Sequence, residues 1–292
     1  MHVLENEALC VEIADKGAEL SRVWDKQLYC ERLWGADAAV WNRHAPILFP
    51  FVGKVVDGKY RVNGREYAMK TQHGFARDLD FDCVEEAADT VCHVLRATEQ
   101  TRRIYPFDFR LFVRHRLDEK DPRRLHIEWQ VCNDGQERMY YAIGGHPAFL
   151  PPEGVTKEAC FLGFPGRERL RYICVDAAGY AIPGTVHERA LDQGLTAWDA
   201  SLSETWIFED HQLSEVQLVR PDKSPWVTLH CEDFPILAVW ANAVGPFICL
   251  EPWCGRTDDE GFAGELPEKV CQERLNPGES KKIAYDIEFH RG

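Results

Sequence analysis

The chain has 292 residues, 45% of them hydrophobic, and a formal charge of −14 at pH 7. That share supports a sizeable core in one or two domains, but no run approaches the eighteen or so apolar residues a membrane span needs. So acidic a surface, with no basic run in it, repels nucleic acid and anionic lipid and leaves a neutral small molecule as the natural partner.

The first ten residues show no basic region followed by an apolar run, so no signal peptide is read. Eleven cysteines are scattered without a Cys-x-x-Cys, and Cys132, Cys231 and Cys249 fall inside apolar stretches. Free, mostly buried thiols in a reducing, cytoplasmic compartment account for them.

Along the chain, alternation with a period of two dominates, the mark of half-buried strands. Asn63-Gly64 sits between apolar-polar runs at 60–62 and 66–67 and predicts a hairpin turn, because type I′ geometry needs positive φ at both central residues. Residues 109–117 alternate apolar and mostly basic, and 125–131 alternate more cleanly still. Asn133-Asp134-Gly135 then punctuates. Strands are expected at 216–219 and 227–231, then at 236–240 and 247–250 around a turn holding Asn242, Gly245 and Pro246. Residues 258–271 have room for a short helical turn. After Asn276-Pro277-Gly278, a last alternating strand covers 283–289. The expectation is all-β: one large antiparallel β-sandwich over residues 1–292, with two small sandwiches as the alternative.

Two places carry chemistry. In 142–149 an apolar strand ends in Gly144-Gly145, then His146, whose backbone Pro147 restricts to the extended region. In 247–253 an apolar run leads into Glu251, followed by Pro252 and Trp253. The apolar surroundings should raise the Glu251 pKa and keep it useful as a base. The face it takes depends on a bulge that alternation cannot reveal. Trp253 offers a flat surface to the apolar side of a sugar ring. Taken singly, each residue fits a structural role as well as a catalytic one.

Residues 71–78 pack Gln72, His73 and Arg77 into one polar loop, which also reads as a plain turn. The apolar run 45–53 ends in Lys54, which reads equally as a solvated lysine. No closely spaced Cys/His set, phosphate loop or nucleophile elbow occurs, so neither a metal nor an organic cofactor is expected.

Five segments in order, APILFPFVGK (45–54), QHGFARD (72–78), YPFDF (105–109), GGHPAF (144–149) and CLEPWCG (249–255), resemble the aldose 1-epimerase family, in particular its LacX-like branch. The resemblance implies a sandwich of the galactose mutarotase type with a sugar in an open cleft. It implies His146 as general acid, Glu251 as general base and His73 as an assistant at the ring. Gln72 and Arg77 fall where the sugar-phosphate branch holds its substrate. Lys54 stands where relatives carry arginine, and Glu204 stands for an aspartate that holds sugar hydroxyls. Ring opening needs one proton to leave the C1 hydroxyl while another reaches the ring oxygen. Ionised Glu251 and protonated His146 would supply that pair of transfers.

Three other functions stay open on this reading. One is a non-catalytic carbohydrate-binding or regulatory protein, suggested by Lys54 and Glu204. Another is a hexose-6-phosphate mutarotase drawing on Arg77, Lys54 and Arg22 for cations. A glycoside hydrolase or lyase would need a second acid opposite Glu251. A monomer and a homodimer are equally compatible with the sequence.

Overall fold

The computed structural model describes residues 1–291. The alternating segments become an antiparallel sheet of nine strands. Its middle is formed by Phe109–Leu117, Arg124–Asn133 and Ser280–Phe289, most of whose apolar side chains turn to one buried face. A second sheet runs in the order Trp206–Phe208, Ile236–Trp240, Ile248–Cys254, Ile143–Gly145, Ile47–Leu48. The two sheets share one core, where Leu111, Val113 and Trp129 of the first meet Trp206, Val239 and Leu250 of the second. Burying a side chain the size of Leu250 contributes several kcal/mol, since its truncation to Ala typically costs about 2–5.

A four-stranded sheet, His2–Glu5, Leu9–Ile13, Leu20–Asp25 and Cys30–Glu31, precedes the sandwich. Asn63 (φ 52°) and Gly64 (φ 71°) form the turn of a hairpin between Lys59–Val62 and Arg65–Ala68, as the dipeptide predicts. The helical turn expected within 258–271 is the short 3-10 segment Leu266–Glu268. One α-helix, Glu99–Ile104, carries too little apolar periodicity to be read from sequence, and its N-terminus is capped by Thr98. No helix of the described residues is long and apolar enough to cross a membrane.

The alternation in Ile248–Cys254 answers which way Glu251 points. Ile248, Leu250 and Cys254 enter the sandwich core, whereas Cys249 and Trp253 join smaller clusters on the other side. Glu251 shares that second face. It lies inside the strand, paired with Ala238, rather than just beyond its end as the Glu-Pro sequence suggests.

Candidate active site

Strand Ile248–Cys254 is paired on one side by two short pieces of chain. Gly144 is opposite Trp253 and Ala148 is opposite Cys249. Between those pieces, His146 and Pro147 face Glu251 and Leu250 across a gap in the paired register. A proline cannot donate to a ladder, so a strand carrying one needs such a gap. The register on both sides of the gap sets His146 directly opposite Glu251, with both side chains on the outer face. Their Nε2 and Oε2 atoms are 3.3 Å apart. The expected acid and base are therefore neighbours on one wall.

They line a cleft of about 300 Å³ together with His73, Trp41, Trp240 and Trp253. That is the small end of the range for small-molecule sites, roughly 300–1,000 Å³, and suits a single ring. Rings surround the imidazole: Trp41 lies 5.0 Å from it at 34°, Trp240 5.6 Å at 80° and His73 5.6 Å at 85°. Glu251 is 1% exposed, and neither carboxyl oxygen has a hydrogen-bond partner among the described residues.

Burial sets the protonation. It pushes Glu251 well above the usual carboxylate range, against a smaller opposing effect of the Trp253 indole. It pulls His146 down to about 3, with the Arg77 charge acting in the same direction. Both shifts favour the uncharged forms, protonated Glu251 and neutral His146. The charged forms expected for the reacting state, ionised Glu251 with protonated His146, are disfavoured by the low dielectric of the cleft, because two adjacent charges without further partners cost more to bury than a neutral acid beside a neutral base.

His73 is held by its own loop. Its N–H donates to the Gly53 carbonyl at 2.7 Å, and its Nδ1 accepts from the Gly53 N–H at 3.0 Å. With Nδ1 accepting, the proton of the neutral ring lies on Nε2, making His73 a donor there. Burial, then the neighbouring His146 and Arg77, keep it well below its usual pKa. The backbone at His73 is left-handed (φ 65°), a conformation that costs of order 1–3 kcal/mol and persists where surrounding structure enforces it. Gly74 (φ 68°) follows, and a Cβ there would collide with the Phe49 carbonyl.

Of the other expected residues, Gln72, Arg77, Lys54 and Trp253 line the cleft. Arg77 donates to the Gln72 carbonyl at 2.7 Å, and Lys54 Nζ donates to the Ala178 carbonyl at 2.5 Å. Trp253 is 4% exposed and packed in a core cluster, so it is part of the floor rather than an open platform. Trp41 and Trp240, both half-buried, present the accessible aromatic surfaces.

Two expectations fail. Glu204 is exposed and is not among the cleft residues; a turn with φ 55° at Thr205 brings Thr205 to the cleft instead. Arg22 lies on the four-stranded sheet, paired with Glu12 and Glu31, and adds no cation to the cleft. Trp41, Trp240 and Thr205 went unread. Trp240 ends the strand expected at 236–240, whereas Trp41 and Thr205 lie on irregular chain.

His146, Glu251 and Cys249 also place a nitrogen, an oxygen and a sulfur within 4.8 Å of one another. A soft metal ion captured there would occupy both proton-transfer groups.

The chain belongs to the aldose 1-epimerase family, which residues 1–282 match. It is 30% identical, over 97% of each chain, to the chromosomal protein LacX of Lactococcus lactis subsp. lactis. It superposes at a TM-score of 0.91 and 29% identity on a galactose mutarotase related enzyme of Lactobacillus acidophilus, covering 99% of this chain and 97% of that one. A galactose mutarotase-like protein of Lactobacillus casei ATCC 334 gives 0.86 and 29%, covering 99% and 100%.

Proposed function

We propose that this protein is an aldose 1-epimerase that interconverts the α and β anomers of a free hexose, with His146 and Glu251 exchanging protons with the sugar. The observation that carries the reading is their 3.3 Å separation at the base of a cleft sized for one ring. The C1 hydroxyl and the ring oxygen of a hemiacetal share a carbon, so the groups serving them must be neighbours.

A sugar in the cleft offers hydroxyl donors to the carboxyl group. Hydrogen bonds to an anion favour its ionised form, so binding moves the proton from Glu251 towards His146. Glu251 then accepts the C1 hydroxyl proton while His146 delivers its own to the ring oxygen. The C1–C2 bond turns, and the steps reverse on the other face. His73, donating from Nε2, holds an oxygen of the ring, and Trp41 and Trp240 cover its apolar side. No step requires a metal or organic cofactor. The eleven free thiols, most of them buried, support a reducing, cytoplasmic setting.

Polarimetry on freshly dissolved α-glucose and α-galactose tests the reading: the approach to the equilibrium rotation should accelerate in proportion to protein. Sugar binding with no acceleration would instead favour a carbohydrate-binding protein.

A hexose 6-phosphate is the second reading. It is favoured by one observation: Lys54 and Arg77 line the cleft, whose only acidic side chain is the buried Glu251. Glucose and glucose 6-phosphate compared across a salt series decide between them. A phosphate held by these cations gives a kcat/KM that falls with ionic strength, while the neutral sugar gives a flat profile.

A further inference from the structure

We propose that His2, Cys83 and His93, joined by Asp15, form a binding site for a divalent cation of the zinc class, outside the sugar cleft. The four residues come from separate elements: the first strand, His2–Glu5; the edge strand, Asp82–Glu86; its neighbour, Thr90–Arg96; and the turn after Leu9–Ile13. None of them lines the cleft.

Strand pairing builds the site. Cys83 is directly opposite His93, and the register slips between Cys83 and Glu85. Such a bulge re-aims the side chains of an edge strand. The ligating atoms of His2, Cys83 and His93 all lie within 4.8 Å of one another. Asp15 Oδ1 is 2.8 Å from His2 Nε2 and 3.3 Å from His93 Nε2, so both imidazoles converge on one carboxylate. Donors bonded to a tetrahedral zinc stand roughly 3.3–3.8 Å apart, and side-chain rotation closes the set to that size. Two nitrogens, a sulfur and an oxygen form the donor set of a zinc or cobalt site rather than of calcium or magnesium.

Two further observations favour a cation over a plain hydrogen-bond cluster. His2 Nδ1 is 3.0 Å from Glu86 Oε1. A carboxylate on the far nitrogen is the support that metal-bound histidines usually have, and it directs Nε2 into the cluster. His93 is wholly buried, and its Nδ1 has no partner among the described residues. Its only polar contact among the described residues is at Nε2, with the Asp15 carboxylate that would share the ion. The competing arrangement is also present, because the amine of Met1 is 2.9 Å from Asp15 Oδ2 and shares that carboxylate. The exposed Cys83 leaves an approach from solvent. On binding, the Cys83 thiol proton passes to solvent and its sulfur bonds the ion as thiolate, with no change in oxidation state.

The ion would fasten the first strand to the edge of the nine-stranded sheet. It would also anchor the turn that includes Gly17, which packs against the backbone of Arg77 in the sugar cleft.

The test uses the full chain with any tag at the C-terminus, stripped with chelator and titrated with Co²⁺ and then Zn²⁺. Thiolate-to-cobalt absorption should rise to an end point and be displaced by zinc, and zinc should raise Tm. Cys83→Ser should lose one equivalent together with its charge-transfer band and the zinc-dependent Tm shift. Glu86→Gln should weaken binding by about 10–100-fold. Cys83 and Glu86 are at the surface, and the Tm of each stripped variant reports its folding. Absence of a thiolate band in the wild type would overturn the proposal. So would an unchanged band and stoichiometry in Cys83→Ser, since the ion would then reside at another thiol, such as Cys249 beside His146 and Glu251.

Discussion

Gly144 lies so close against the Trp253 indole that a Cβ at 144 would stand 2.5 Å from Cδ1. Both belong to the paired strands that carry His146 and Glu251, and Trp253 is two residues from the carboxylate. Gly144→Ala must therefore displace the indole or the strand. We expect a Tm several degrees lower and at least a tenfold fall in kcat, measured by thermal unfolding and polarimetry. Gly35→Ala, where nothing lies within 4 Å, should change neither.

Glu251→Gln and His146→Asn each remove one end of the proton exchange. Each should reduce kcat by about 10²–10⁴-fold with little change in KM. Because the two groups act as a unit, the double variant should be about as slow as the slower single one. Full additivity of the two losses would show that the residues work independently.

The pH–rate profile should be asymmetric. Exchange needs one proton on the pair, which takes up a second only as pH falls towards the His146 value of about 3 and loses the first only above the raised value of Glu251. The rate should stay flat from above about 3 up to the raised value of Glu251 and fall beyond it. A mid-acid optimum between ordinary glutamate and histidine values would contradict the burial argument.

Stability should follow the same two groups with opposite signs. Glu251 titrates higher in the folded chain than in the unfolded one, where it sits near about 4.3. Its contribution is complete below that value and is lost as pH rises through the folded one. His146 titrates lower when folded, so its contribution is present above about 6.5 and is lost as pH falls towards about 3. In urea unfolding, Glu251→Gln should gain stability over the wild type as pH increases. His146→Asn should lose less than the wild type on acidification.

Trp41 and Glu204 form a contrast. Trp41→Ala removes an accessible ring from the cleft and should raise KM about 3–10-fold, in line with the 0.5–1.5 kcal/mol of an aromatic contact. Glu204→Ala, at an exposed position off the cleft, should leave kcat/KM within about twofold. A large loss in Glu204→Ala would put that side chain back at the sugar.

What could be read from the sequence follows from periodicity. Strands such as 109–117 and 283–289 reveal themselves because one face is buried and the other wet. Ile248–Cys254 is buried on both faces, so alternation vanished there and with it the direction of Glu251. The meeting of His146 with Glu251 depends on long-range register, which no local pattern encodes. Trp41 and Thr205 arrive by irregular chain that has no period to read. The His2, Asp15, Cys83 and His93 cluster escaped for a related reason, since metal-ligand spacing is recognisable only when the ligands share a short segment.

The interrupted ladder at His146-Pro147 also bears on how this protein could diversify. Side chains on adjacent strands inherit their separation from the interstrand spacing of about 4.7–4.9 Å, which a bound molecule cannot stretch. The chemistry is thus woven into the fabric of the sheet, while Lys54, Gln72, Arg77 and Thr205 hang from its fringe. On the proposed function, new substrates can be sampled by exchanging fringe residues one at a time, with the proposed proton-exchanging pair left intact.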